Sequence, residues 1–136
     1  KKFVLYGIHL LNRPVERVYV VEGYTDVIAM TQMGYNAVAS LGTSFTEYHA
    51  KVLKRKAKEV ILMFDSDNAG QIATGKALNI LLRLDIDVKI NKLKSGDPGD
   101  LIKLGFKPDF KSPLEYLFSQ IDWTNKEKSV KQGKSY

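Results

Sequence analysis

Residues 60–64 read Val-Ile-Leu-Met-Phe, and no other stretch limits the fold of this chain more tightly. This apolar run, inside EVILMF (59–64), is too short for a buried helix and has the bias of a strand apolar enough to be buried. RVYVV (17–21), NAVAS (36–40) and IDVKINKL (86–93) also read as strands, with amphipathic stretches between them. TDVIAMTQMG closes on Gly34 as a C-cap, and SFTEYHAKVLKRKA opens with Ser44 and Glu47 in capping-box spacing. NAGQIATGKALNILLRL is a longer helix begun by Asp67 or Asn68. Strands joined by single helices form βαβ units, so the expected class is α/β, a four-stranded, mainly parallel sheet flanked by helices. Helical stretches are also expected near 98–105 and 113–121, and no internal repeat is visible.

With 136 residues, 44% hydrophobic and 26% charged, the chain has the size and composition of one globular domain. It begins on Lys1 without a methionine and is expected to be a piece of something larger. Cysteine is absent, which excludes a disulfide framework and a thiolate metal site, and the histidines, His9 and His49, are too few for a histidine-rich one. Any metal would be held by oxygen, and zinc is not expected. No apolar run approaches the roughly 20 residues of a membrane span, and KKFVLYGIHLL does not make a signal peptide. The expected location is cytoplasmic, without a membrane partner. A net charge of +6 favours a polyanionic partner, although KVLKRKAK reads as a solvated helix face and NKEKSVKQGKSY as a disordered basic tail.

Ligands of open α/β sheets bind at the carboxyl ends of the strands. There this basic chain is acidic. EGYTD after the first strand carries Glu22 and Asp26, DSD after the third carries Asp65 and Asp67, and GDPGD after the fourth carries Asp97 and Asp100. Asp65 and Asp67 stand at i and i+2, so on extended backbone they leave from the same face and repel each other. A hard divalent cation, Mg²⁺ or Mn²⁺, offsets that repulsion. The competing explanation is that the two aspartates cap the helix that follows; acidic groups at two further strand ends favour the metal.

Other constellations are weaker. Neither G-x-G-x-x-G nor G-x-x-x-x-G-K-[ST] occurs. Ser40, Ser44 and His49 lack the context of a nucleophile and base, and His49 reads as a helix-surface residue. Tyr24 lies beside the acidic cluster. SLGTS (40–44), with Gly42 and Thr43, suits either a simple turn and cap or a nest of backbone N–H groups that binds phosphate.

Taken in order, VEGY-D, AVASLGTS, D-D-AG--A and DP-D resemble the Toprim domain, and within it the core of bacterial replicative DNA primases of the DnaG type. VLYGI near the start is similar to that family's LYGL segment, and SPLEYLF to the segment leading into its helical subdomain. The likeness covers roughly residues 1–105. It implies a Rossmann-like Toprim fold over 17–105, preceded by a segment (1–16) leading in from a basic subdomain and followed by a short helical extension (106–123) and the tail (124–136).

By the same resemblance the activity is synthesis of short RNA primers on single-stranded DNA from nucleoside triphosphates. Glu22, Asp65 and Asp67 would be catalytic and hold one to three Mg²⁺ or Mn²⁺ ions, with Asp26, Asp97 and Asp100 as further ligands. Glu22 would be a ligand or a general base. Lys1, Lys2, Gly23, Gly42 and Thr43 would contact nucleotide or nucleic acid. Gly99 departs from the acidic or polar residue more usual inside DP-D. The replicative helicase and single-strand-binding protein would bind regions outside this chain, which alone would prime poorly. The alternatives are a Toprim nuclease, whose carboxylates hold metal to activate water, and a non-catalytic DNA- or protein-binding module.

Overall fold

The computed structural model describes residues 5–41, 44–91 and 109–121. Its centre is a five-stranded sheet of β1 (Val15–Val21), β2 (Ala37–Ala39), β3 (Ala57–Leu62), β4 (Asp87–Asn91) and β5 (Phe110–Lys111), ordered β2-β1-β3-β4-β5. The first four strands pair in parallel, and β5 runs antiparallel to β4. Helices α1 (Tyr24–Gln32), α2 (Glu47–Lys56) and α3 (Asn68–Arg83) connect consecutive parallel strands, and α4 (Pro113–Ser119) follows β5.

Strand alternation splits the core in two. Val18, Val20, Val60, Leu62, Val88 and Ile90 point to the face covered by Leu53 of α2 and Ala77, Leu78 and Leu81 of α3. Tyr19, Val21, Ala37, Ala39, Ile61 and Met63 point to the other, where Val27 and Met30 of α1 cover them. Strands buried on both faces read as unbroken apolar runs, which is why 60–64 lacks polar alternation. Before β1, Tyr6 bridges antiparallel to Ala39, exchanging N–H···O bonds of 2.8 and 3.0 Å. Gly7 permits that approach: its φ is +88°, and a Cβ there would meet Ala37 O at 3.0 Å.

Three details differ from the sequence expectations. A fifth strand closes one edge; at two residues it has no period to read, and it is fixed by long-range contacts instead. Asp109 N–H donates to Asn91 Oδ1 at 2.7 Å, and the Arg17 guanidinium lies 4.6 Å from the centre of the Phe110 ring. β3 ends at Leu62, so Met63 and Phe64 continue beyond the ladder. Finally, α2 is capped by Thr46, not Ser44: Thr46 Oγ1 accepts from His49 N–H at 3.2 Å, and Thr46 N–H donates to His49 Nδ1 at 3.1 Å. His49 shares a helix face with Ala50 and Leu53 and is fully buried against Phe45, not on the surface. The expected helix at 98–105, strand positions 92 and 93, both ends of the helical extension (106–108 and 122–123) and the tail (124–136) lie outside the described residues.

At the opposite edge from the strand ends, Glu59 of β3 pairs with Arg17 of β1 at 2.8 Å and with Lys89 of β4. Near-burial raises the Glu59 pKa, but the Lys89 and Arg17 hydrogen bonds outweigh that and hold it below the ordinary value. A depressed folded-state pKa contributes stability above the unfolded value that is lost as pH falls through the folded one. Glu59→Gln is therefore expected to cost about 1 kcal/mol at pH 7, both cations being partly solvated. In urea titrations the gap between wild type and variant should close on acidification below the ordinary carboxylate range.

Candidate functional site

Chain topology locates the site before any side chain is considered. After β1 the chain crosses over α1 to β2 on one side, then passes back to β3 on the other. The connection reverses between β1 and β3, the kind of switch point where the carboxyl ends of an open sheet leave a crevice. Parallel register sets Val20 opposite Leu62, which carries Glu22 to the level of the residues after β3. There Asp65 N–H donates to Glu22 Oε1 at 2.7 Å, and both residues are half-buried. The bond fixes the Glu22 carboxylate beside the D-x-D turn and brings the acidic ends of the two strands together.

Asp67 is exposed and serves as the N-cap of α3, its Oδ1 accepting from Gly70 N–H at 2.7 Å. Of the two aspartates, Asp67 caps α3 with its side chain, while Asp65 meets Glu22 through its backbone amide. Asp26 is buried, and its Oδ2 accepts from Gly23 N–H at 3.3 Å in the capping box of α1. It lies under the turn that presents Glu22, and the Gly23 amide is spent within that cap. Tyr24 is exposed and packs edge-on against Tyr6, with ring centres 6.1 Å apart. Asp97, Asp100, Lys1, Lys2, Gly42 and Thr43 lie outside the described residues.

As donors, Glu22, Asp65 and Asp67 offer only carboxylate oxygen, the chemistry of a hard cation. Among the described residues no three His, Cys, Asp or Glu side chains are grouped closely enough to hold an ion by themselves. A small set of carboxylates suits Mg²⁺ or Mn²⁺ better than a full protein cage, since Mg²⁺ keeps waters and substrate phosphates in its shell. No helix of the described residues is long and apolar enough to cross a membrane.

Two features escaped the sequence. Gly70 lets α3 rest on the D-x-D turn: a Cβ there would stand 1.9 Å from Asp65 O and 2.7 Å from its carbonyl carbon. Beside the site, an open cleft of about 350 Å³ is lined by Glu22, Phe45, Phe64 and one face of α3 that includes Lys76. The face is Ala69, Ile72, Ala73 and Lys76, an i, i+3, i+4, i+7 series of the helix already expected there; that it borders Glu22, Phe45 and Phe64 is what the sequence does not show.

The family model described as Toprim-like matches residues 19–102. The DNA primase of Clostridium acetobutylicum is 40% identical over 123 residues, which cover 88% of this chain and 21% of that protein. The DNA primase of Rickettsia prowazekii is 44% identical over 110 residues, 75% of this chain and 18% of that protein. A crystal structure of a DNA primase domain from Pseudomonas aeruginosa matches with a TM-score of 0.77 at 36% identity, covering 88% of this chain and 42% of that one. The structure of the DnaG primase catalytic domain bound to ssDNA matches with a TM-score of 0.70 at 38% identity, covering 78% and 37%. The chain thus spans only about a fifth of the length of its curated relatives.

Because Gly70 packs on backbone, which cannot swing aside, Gly70→Ala is expected to destabilise the fold by at least about 2 kcal/mol, toward the upper part of overpacking costs. Thermal and urea unfolding should report it. Gly75→Ala, where a Cβ would meet nothing within 4 Å, should be neutral or stabilising because it removes a helix-interior glycine.

Proposed function

Since the chain belongs to the Toprim-like family, we propose that it is the catalytic Toprim unit of a DNA primase, joining nucleoside triphosphates into short RNA primers on a single-stranded DNA template. The observation that carries the proposal is the 2.7 Å bond from Asp65 N–H to Glu22 Oε1 at the β1/β3 switch point. Relatives and structural neighbours named as primases support the same reading.

In this reading Glu22, Asp65 and Asp67 hold divalent ions, with Asp97 and Asp100 joining through their motif alone. A bound Mg²⁺ or Mn²⁺ supplies Lewis-acid stabilisation of the charge that develops during phosphoryl transfer. The chain's own residues do the rest. The Asp65 amide fixes one oxygen of Glu22, so the carboxylate needs no reorganisation when substrate arrives. Asp67 gives Oδ1 to the helix cap and keeps Oδ2 for the site. Buried Asp26 stiffens the turn that aims Glu22. In the reaction the primer 3′ oxygen bonds to the α-phosphorus of the incoming nucleotide, the bond from that phosphorus to its bridging oxygen breaks, and pyrophosphate leaves. The hydroxyl proton passes to Glu22 or to solvent. Lys1, Lys2, Gly42 and Thr43 are assigned to phosphate contacts. Contacts with a replicative helicase and single-strand-binding protein are assigned to parts of the enzyme beyond this chain.

Calorimetric Mn²⁺ titration separates metal binding from capping. Asp65→Asn should weaken binding by about tenfold or more, near 1.4 kcal/mol. Asp67→Asn should also weaken it while leaving stability unchanged, because Asn caps as well as Asp; Asp67→Ala should lose about 1 kcal/mol of stability besides. Unchanged Mn²⁺ affinity in all three variants would leave Asp67 as a helix cap and Asp65 with no part in metal binding. With the remaining domains of the longer enzyme restored, extended RNA is the expected product. Shortened DNA would indicate a nuclease, and nucleic-acid binding without turnover a non-catalytic module.

A further inference from the structure

The cleft beside the carboxylates is amphipathic end to end. Glu22, Phe45 and Phe64 line it together with Ala69, Ile72, Ala73 and Lys76 of α3. Its volume of about 350 Å³ falls within the range of small-molecule sites. Two of its side chains are unusual for a bare surface. Ile72 is 60% exposed, so a large aliphatic group faces the opening uncovered. Lys76 is exposed and pairs with no carboxylate among the described residues, although Lys51, Lys58 and Lys89 each do. Ala69 and Lys76 are seven residues apart on one helix, so the cationic end lies about 10 Å along the axis from the end that borders the D-x-D turn. Counting the reach of the lysine stem, that span suits a single nucleotide measured from its 5′ phosphate to its 3′ hydroxyl.

We infer that this cleft holds the nucleotide at the growing end of the primer, with Lys76 on its 5′ phosphate and its 3′ hydroxyl delivered to the carboxylates. The inference deepens the primase reading and rests on it. Lys76 supplies a charge-assisted hydrogen bond to phosphate, while Ile72 and the edges of Phe45 and Phe64 remove apolar surface of the nucleoside from water. The polarity follows from the chemistry: the hydroxyl that attacks must face the acidic end and the anion the basic one. Since Lys76 acts through the placement of the nucleotide and not on the reacting atoms, it is a positioning residue.

The test uses adenosine 5′-monophosphate and adenosine as probes, titrated into the ¹⁵N-labelled chain and followed by amide shifts. Wild type should bind the monophosphate about tenfold more tightly than adenosine, the difference expected of one hydrogen bond to a charged group, with shifts at Phe45, Ile72 and Lys76. Lys76→Gln should abolish that preference, Lys76→Arg should restore most of it, and Ile72→Glu should weaken both probes by about threefold or more. Each changes an exposed side chain, so folding is not at stake. Equal binding of the monophosphate by wild type and Lys76→Gln, shifts confined to other surfaces, or no binding at millimolar probe would overturn the inference. Mn²⁺ binding measured on the same samples keeps the two claims apart. If it is intact and lost in Asp65→Asn, the carboxylate site stands whatever the cleft does; if wild type and Asp65→Asn bind alike, both fall.

Discussion

The amide of Asp65 donates to Glu22 Oε1 at 2.7 Å, and that bond exists only because β1 and β3 pair in parallel with Val20 opposite Leu62. A slip of one residue would exchange the two faces of every strand it touched and carry Glu22 away from α3. What prevents the slip is burial: Val18, Val20, Val60 and Leu62 fill one face, Tyr19, Val21, Ile61 and Met63 the other, and none is more than 2% exposed. The carboxylates at the strand ends inherit their geometry from the apolar residues below them. Clustering like charges opposes folding, and the fully buried residues directly underneath offset that cost.

The same acidic edge sits on a chain of net charge +6. Opposite signs act at different ranges: a net positive charge attracts polyanions at long range, whereas the carboxylates at the strand ends favour cations locally. Asp67 shows how tightly structure and site are joined, for a single side chain both starts α3 and lies in the acidic turn. Gly70 completes the arrangement, since only an absent side chain allows the first turn of α3 to lie on the Asp65 peptide.

Much of this was legible in the residues. The run at 60–64 announced a doubly buried strand, the alternation of strands and helices announced the parallel sheet, and Glu22, Asp65 and Asp67 stood at strand ends where open sheets bind ligands. What could not be read depended on contacts between distant residues. β5 is two residues long and held by Asn91 and Arg17. His49 looked like surface because it is polar, yet it shares a helix face with Ala50 and Leu53, and only the packing of that face on Phe45 shows that it is buried. The Lys76 cleft needs α2 and α3 side by side before it exists. Local pattern fixes which residues form elements; which faces meet is decided in three dimensions.

The central claim is that Glu22 and Asp65, joined across β1 and β3, form a divalent-cation site. Paramagnetic broadening by substoichiometric Mn²⁺ tests it most directly, residue by residue. The expected result is selective loss of amide signals around Glu22–Tyr24 and Asp65–Asp67, abolished by Glu22→Gln with the rest of the spectrum intact. Broadening spread evenly over the acidic residues of the surface, Glu16 and Glu47 included, and unchanged in Glu22→Gln would contradict it.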